Sequence, residues 1–281
     1  MTSPQTKPRQ TPLRKGAAVL EVVAVWALLK AAVKAYYAVP LSGREFDLLH
    51  WPYSVQLLQL GVALGMVLLV GRRARRYGLA PNWRADLLYG GGLAVLFIVL
   101  PTAAMALLGG VRVESTGAGE ILSTVVFQFF LSGIGEEILY RGYIQSRLNQ
   151  AFGRPARVGG VCFGPGLLIT AGLFGLAHAL TGFNPFVGSF RIDLMYGIVT
   201  AIWGLIYGLL RERTGSVFGA GILHGHEAVI ENLVVTMPGR IAYVVGWIIT
   251  LVVLLAPDRW FRDPASLRSA RAQERISTGD A

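Results

Sequence analysis

Carboxylates and imidazoles stand inside stretches of this chain that are otherwise apolar. Glu136 and Glu137 lie in "SGIGEEILYRGYIQSRL", His178 in "LFGLAHAL", and His224 and His226 in "AGILHGHEA". Ionisable groups are costly within a bilayer and, where they occur, face a protein interior or a wet cavity. The chemistry open to them is limited. A desolvated carboxylate is a good base toward water, and an imidazole can orient that water or steady an oxyanion. Two imidazoles with a carboxylate also suit Zn²⁺ with one position left for water.

Spacing narrows the roles. Glu137 and Arg141 are four residues apart, share a helical face and can pair. One ion pair needs only one acid, and burial penalises a second. Glu136, on a different azimuth, is left to face a cavity. Phe174 and His178 are also four apart, which sets an aromatic ring beside the imidazole. His224 and His226 are two apart and diverge by some 200° on a helix, so one ion could take both only if Gly225 broke it. Glu227, Glu231 and Asn232 crowd the same segment. Glu231 falls two turns beyond His224 on nearly the same face, and Asn232 about 80° off it. His50, before Trp51 and Pro52, reads as a plain interfacial residue.

The elements that must position these residues are membrane helices. Of 281 residues, 53% are hydrophobic and 15% charged, against about a quarter charged in a soluble domain. A bilayer core takes roughly 20 apolar residues of helix. Stretches near 16–38, 54–71, 86–109, 118–147, 158–180, 192–211, 216–236 and 239–256 qualify. The expected fold is all-α and polytopic, with about eight transmembrane helices over 16–256. A basic tail over 1–15 precedes this body, and a basic tail over 257–281, disordered by default, follows it. Glu21, Lys30 and Lys34 interrupt the first span, and the two lysines are expected to snorkel toward a surface. The basic start ahead of an apolar stretch has the layout of a signal peptide. The stretch is too long for one and shows no clear small-residue cleavage site, so it reads as a retained helix. The single Cys162 excludes an internal disulfide and reads as inert apolar packing.

The formal charge is +10. The excess sits in clusters: Lys7, Arg9, Arg14 and Lys15; Arg72, Arg73, Arg75, Arg76 and Arg84; Arg147, Arg154 and Arg157; Arg211 and Arg213; and arginines after Trp260. The alternate loops hold only Arg44, Arg112, Arg191 and Arg240. This alternation is the positive-inside pattern of eight spans with both termini cytoplasmic. Lipid headgroups in the plasma membrane, and not nucleic acid, are the partners it implies. Counting from the cytoplasmic ends places Glu137 at about 15 Å, His224 at about 12 Å and His178 at about 20 Å. Separate spans thus carry their ionisable groups to a similar level. They can share one cavity, expected to open toward the cytoplasm.

Taken in order, these segments resemble the intramembrane CAAX-protease and bacteriocin-processing (CPBP) family, the type II CAAX prenyl endopeptidases. "EEILYR" resembles its Glu-Glu-x-x-x-Arg motif and "FGLAH" its Phe-x-x-x-His motif. "WGLIYGLLRERTGSVFGAGILHGHEA" resembles its third region, so the likeness covers roughly 118–236. The resemblance implies a peptidase in which Glu136 activates water, His178 and His224 complete the site, and Glu137 with Arg141 supports it. It also implies a membrane-associated peptide or lipidated substrate, cut near its carboxyl terminus. The family's last motif usually reads His-x-x-x-Asn, the asparagine helping to bind the oxyanion. Here that position is Ala228, and counting from His226 gives Ile230. Catalytic Zn²⁺ on Glu136, His178 and His224 stays open, and no structural metal is expected. Two other classes compete. One is a non-catalytic interaction or immunity protein of the same fold, favoured by the missing asparagine. The other is a proton relay, disfavoured by the scarcity of further polar residues along the spans.

Overall fold

The computed structural model describes residues 11–71, 74–107, 111–113, 117–236, 248–249 and 251–256. The chain runs through α1 (Pro12–Tyr36) and α2 (Pro40–Leu49), then bends by 104° into α3 (Tyr53–Leu69). There follow α4 (Trp83–Ala104), α5 (Ala118–Phe152), α6 (Pro165–Ala179), α7 (Leu194–Thr214) and α8 (Phe218–Leu233). Proline opens α1, α2 and α6, at the one position where its missing N–H costs nothing. Asp193 caps α7 by accepting from the Tyr196 N–H at 2.9 Å, and Gly215 ends that helix at φ +75°.

The molecule is mostly helical, with short antiparallel ribbons between helices. β1 (Val111–Val113), β2 (Ala156–Val158), β3 (Val161–Phe163), β4 (Phe183–Asn184), β5 (Ser189–Phe190) and β6 (Val234–Thr236) pair as β1 with β6, β2 with β3 and β4 with β5. Among the described residues, α1, α4, α5 and α7 are each long and apolar enough to cross a bilayer, and the bent pair α2–α3 makes a fifth. The span expected over 158–180 is shorter than its apolar stretch, because β2 and β3 occupy its beginning and the helix starts only at Pro165. The 15 residues of α6 rise about 22 Å, less than a core of about 30 Å. Most of the span expected over 239–256, residues 1–10 and the tail 257–281 fall outside the described residues. Cys162 lies exposed on β3 instead of packed inside.

Exposed leucines such as Leu20, Leu68 and Leu107 give the bundle an apolar exterior, the surface that lipid contact requires. Inside, α5 and α8 touch backbone to backbone. A Cβ on Gly133 would stand 2.4 Å from the Gly225 Cα, so only glycine admits this approach, and it carries Glu137 up to His224. The helices α6 and α7 close in the same way, a Cβ on Gly175 falling 2.4 Å from the Gly197 carbonyl oxygen. The arginine-bearing turns gather at one end of the bundle. There Arg147 pairs with Glu21 at 2.7 Å, Arg154 pairs with Glu212, and Asn82 donates to the Thr214 carbonyl at 3.1 Å.

Candidate active site

Glu137 and Arg141 pair across one helical turn, Nη1 to Oε1 at 2.8 Å, both side chains wholly buried. The same Oε1 accepts from Nδ1 of His224 on α8 at 3.0 Å. Nη2 of Arg141 donates to the Gly204 carbonyl on α7 at 2.9 Å. The guanidinium lies 4.6 Å from the ring centre of Phe174 on α6 and 5.3 Å from that of Tyr207. Tyr207 stacks on the His224 ring at 4.7 Å and 15°. A planar cation that both bonds and stacks thus ties four helices together.

The two neighbouring acids are not equivalent. Both are buried, Glu136 at 8% exposure and Glu137 at none; neither lines the central cavity, but Gln56, which bonds Glu136, does. Glu136 Oε1 accepts from Nε2 of Gln56 on α3 at 3.0 Å. Nδ1 of His178 lies 2.8 Å from the Phe174 carbonyl. That acceptor holds the ring proton on Nδ1 and leaves the Nε2 lone pair free. His224 likewise commits Nδ1, to Glu137. Both rings line a cavity of about 850 Å³, with Gln56, Ser132, Trp203 and Glu227 also in its wall. Its apolar lining includes Trp51, Phe127, Met195 and Val199.

The remaining sequence candidates divide. Glu227, Glu231 and Asn232 line the same cavity, Glu227 with the Tyr207 hydroxyl 3.5 Å from Oε2. Asn232 spends its amide on the Ala228 carbonyl of its own helix at 2.8 Å, so it does not replace the donor that Ala228 lacks. His226 turns away. Its Nδ1 bonds the Ile222 carbonyl at 2.8 Å and its ring meets Phe129 edge to face. α8 stays helical through Gly225, which keeps His224 and His226 apart. Among the described residues no group of three or more His, Cys, Asp or Glu is gathered to hold a metal ion. Glu136, His178 and His224 are thus not gathered as such a group, and the chemistry of the site is derived from these side chains and water.

Two sets of polar side chains escaped the sequence reading. Gln128 and Ser132 precede Glu136 by eight and four positions on α5 and line the cavity. Gln128 is 6% exposed, and its amide has no hydrogen-bond partner among the described residues. The spacing of four was the available signal. Wide turns over Val126–Ile134 and Ile138–Gln145 flank the two glutamates, a distortion that recurs at functional sites. The second set starts from the lysines of α1, which turn inward instead of snorkelling to a surface. Lys34 donates to the Leu180 and Thr181 carbonyls at 2.8 and 2.9 Å, at the end of α6. Lys30 donates to Gln59 at 3.0 Å.

Residues 118–229 match the family model described as Type II CAAX prenyl endopeptidase Rce1-like. This stretch is a CAAX-protease-family domain. The Rce1-like domain starts with α5, ends within α8, and contains Glu136, Glu137, Arg141, Phe174, His178 and His224. α1 to α4 lie outside the match, yet they supply Lys30, Lys34, Gln56 and Gln59 to the Rce1-like site. No curated protein matches the chain.

The cavity of the Rce1-like domain lies toward one end of the bundle. Its exposed lining residues Phe46, Asp193, Met195 and Glu231 belong to α2, the start of α7 and the end of α8. α7 begins at this mouth and reaches Arg211 and Arg213 in its last turn. The mouth and the arginine-bearing turns thus lie toward opposite ends of α7.

Proposed function

We propose that the chain is an intramembrane endopeptidase that hydrolyses a peptide bond of a membrane-associated substrate in this cavity. The division between the two acids carries the reading: Glu137 is spent on His224 and Arg141, while Glu136 beside it accepts from Gln56, whose side chain stands in the cavity wall. Glu136 takes a proton from water while Nε2 of His178 accepts from the same molecule. The hydroxide adds to the scissile carbonyl carbon, and the carbonyl oxygen becomes an oxyanion. His224, fixed through Nδ1 by Glu137 and protonated, donates to it from Nε2. Ser132, one turn before Glu136, offers a hydroxyl donor from the cavity wall. Collapse expels the amine, which takes the proton from Glu136.

A cavity of this volume is in the range that encloses a ligand, and its aromatic wall favours an apolar or lipidated, including prenylated, residue at the cleavage point. The arginine-bearing end faces the cytoplasm by the positive-inside rule, which puts the mouth on the other side of the membrane. Impermeant thiol reagents on Met195→Cys in a Cys162→Ser background test this side; labelling from the cytoplasm alone would reverse it.

The decisive assay offers purified protein a panel of reporter peptides, with and without a prenyl group, and compares wild type with Glu136→Ala and His178→Ala. Cleavage by wild type and its loss in both variants is expected. A second reading, a non-catalytic interaction or immunity protein of the same fold, is favoured by Ala228 and by the committed Asn232 amide. Its signature is equal inactivity of all three proteins with partner binding intact.

A further inference from the structure

Lys30 on α1 and Glu136 on α5 are joined through two glutamines of α3. Lys30 Nζ donates to Gln59 Oε1 at 3.0 Å, Gln59 Nε2 to Gln56 Oε1 at 2.5 Å, and Gln56 Nε2 to Glu136 Oε1 at 3.0 Å. The direction of these bonds is dictated from both ends. An ammonium has only donors and an ionised carboxylate only acceptors. Each amide must therefore turn its oxygen toward Lys30 and its nitrogen toward Glu136. Gln59 is 2% exposed and outside the cavity lining, so water has little access to replace its links to Lys30 and Gln56. Bonds that all run one way in a buried chain polarise one another. Glu136 Oε2 carries no hydrogen bond among the described residues, which leaves that oxygen free to accept one.

We propose that Lys30, Gln59 and Gln56 are positioning residues for Glu136: they fix its carboxylate by Oε1 and keep Oε2 available to water. The inference rests on Glu136 being the base, as proposed above. It makes α1 and α3, outside the matched domain, part of the machinery. Lys34 extends the same role to the other wall, because it fixes the end of α6 just beyond His178. Gln59 lies behind the cavity lining and Gln56 within it; the role assigned to both is exerted through the carboxylate.

Lys30→Met and Gln56→Met keep side-chain bulk and remove the bonds. Each is expected to lower kcat roughly 10–100-fold with KM within about twofold, the size of a misplaced reacting group. Lys30 and Gln56 do not bond each other, so unrelated packing roles would multiply in the double variant. One chain predicts a double variant no slower than the slower single one. Multiplying effects overturn the proposal. Lys30→Arg, another cation with donors only, is expected to restore most of the lost kcat. A second measurement needs no turnover: the infrared carboxylate stretch of Glu136, assigned by its loss in Glu136→Gln, is expected to move in both Met variants. If that band moves while wild type cleaves nothing, the chain stands and the peptidase reading falls. If Lys30→Met leaves both band and kcat unchanged while Glu136→Ala is dead, the chain falls and the peptidase reading stands.

Discussion

Arg141→Met separates what the buried cation does for the fold from what it does for the site. The substitution strands Glu137, which has no exposure at all, with His224 as its remaining partner. It also removes the bond to the Gly204 carbonyl and the guanidinium from the Phe174 and Tyr207 rings. Breaking a buried pair by deleting one partner costs about 3–5 kcal/mol, or roughly two to three and a half orders of magnitude in the unfolding equilibrium. The pair is not saturated, since Glu137 Oε2 and Arg141 Nε have no partner among the described residues. Removing both charges is therefore expected to recover most of the stability, because apolar replacement of an imperfect buried pair is near neutral or stabilising. Thermal unfolding of detergent-solubilised protein reads the first effect, comparing wild type, Arg141→Met and Glu137→Met/Arg141→Met. Reporter-peptide cleavage reads the second. The double variant should regain its melting temperature and stay inactive, because His224 has lost the acceptor that holds Nδ1. A double variant as unstable as the single one, or one that cleaves, refutes the reasoning.

Gly133→Ala pushes a methyl group into the α8 backbone and should cost about 1–3 kcal/mol as overpacking, seen as a lower unfolding temperature together with slower cleavage. His226→Ala should leave the cleavage rate within about twofold, while His224→Ala abolishes it by removing an oxyanion donor; equal losses would bring His226 back into the site. Ser132→Ala should lower kcat by up to about 100-fold as a lost oxyanion donor, and Gln128→Leu should chiefly raise KM, both measured on one reporter peptide. A Gln128→Leu variant with unchanged KM would show that the free amide does not meet substrate.

The pairs Glu137–Arg141 and Phe174–His178 were legible in the sequence because a spacing of four is a property of one helix and needs no knowledge of its neighbours. The unequal fate of Glu136 and Glu137 followed from the same local geometry together with the cost of burying a second charge. The divergence of His224 and His226 was equally local, since α8 runs unbroken through Gly225. The order of the motifs along the chain also belonged to the sequence, and the family match over 118–229 covers the same stretch.

What lay beyond the sequence depended on partners. An apolar span looks alike whether a face meets lipid or another helix, so nothing local told that Lys30 would find Gln59 or that Lys34 would find the end of α6. The stretch before Pro165 was read as helix because a short apolar run is ambiguous between strand and helix by periodicity alone. Counting residues from a membrane edge placed the ionisable groups at one depth. It could not say toward which end the helices part, because that follows from how closely paired glycines such as Gly133 and Gly225 let them approach. Chain chemistry alone determined which side chains could act; the packing of α1, α3, α5, α6 and α8 decided which were sealed, which line the cavity and where it opens. The reason is that helical spacing is set by bonds within one segment, whereas burial and access are set by surfaces brought together from distant ones.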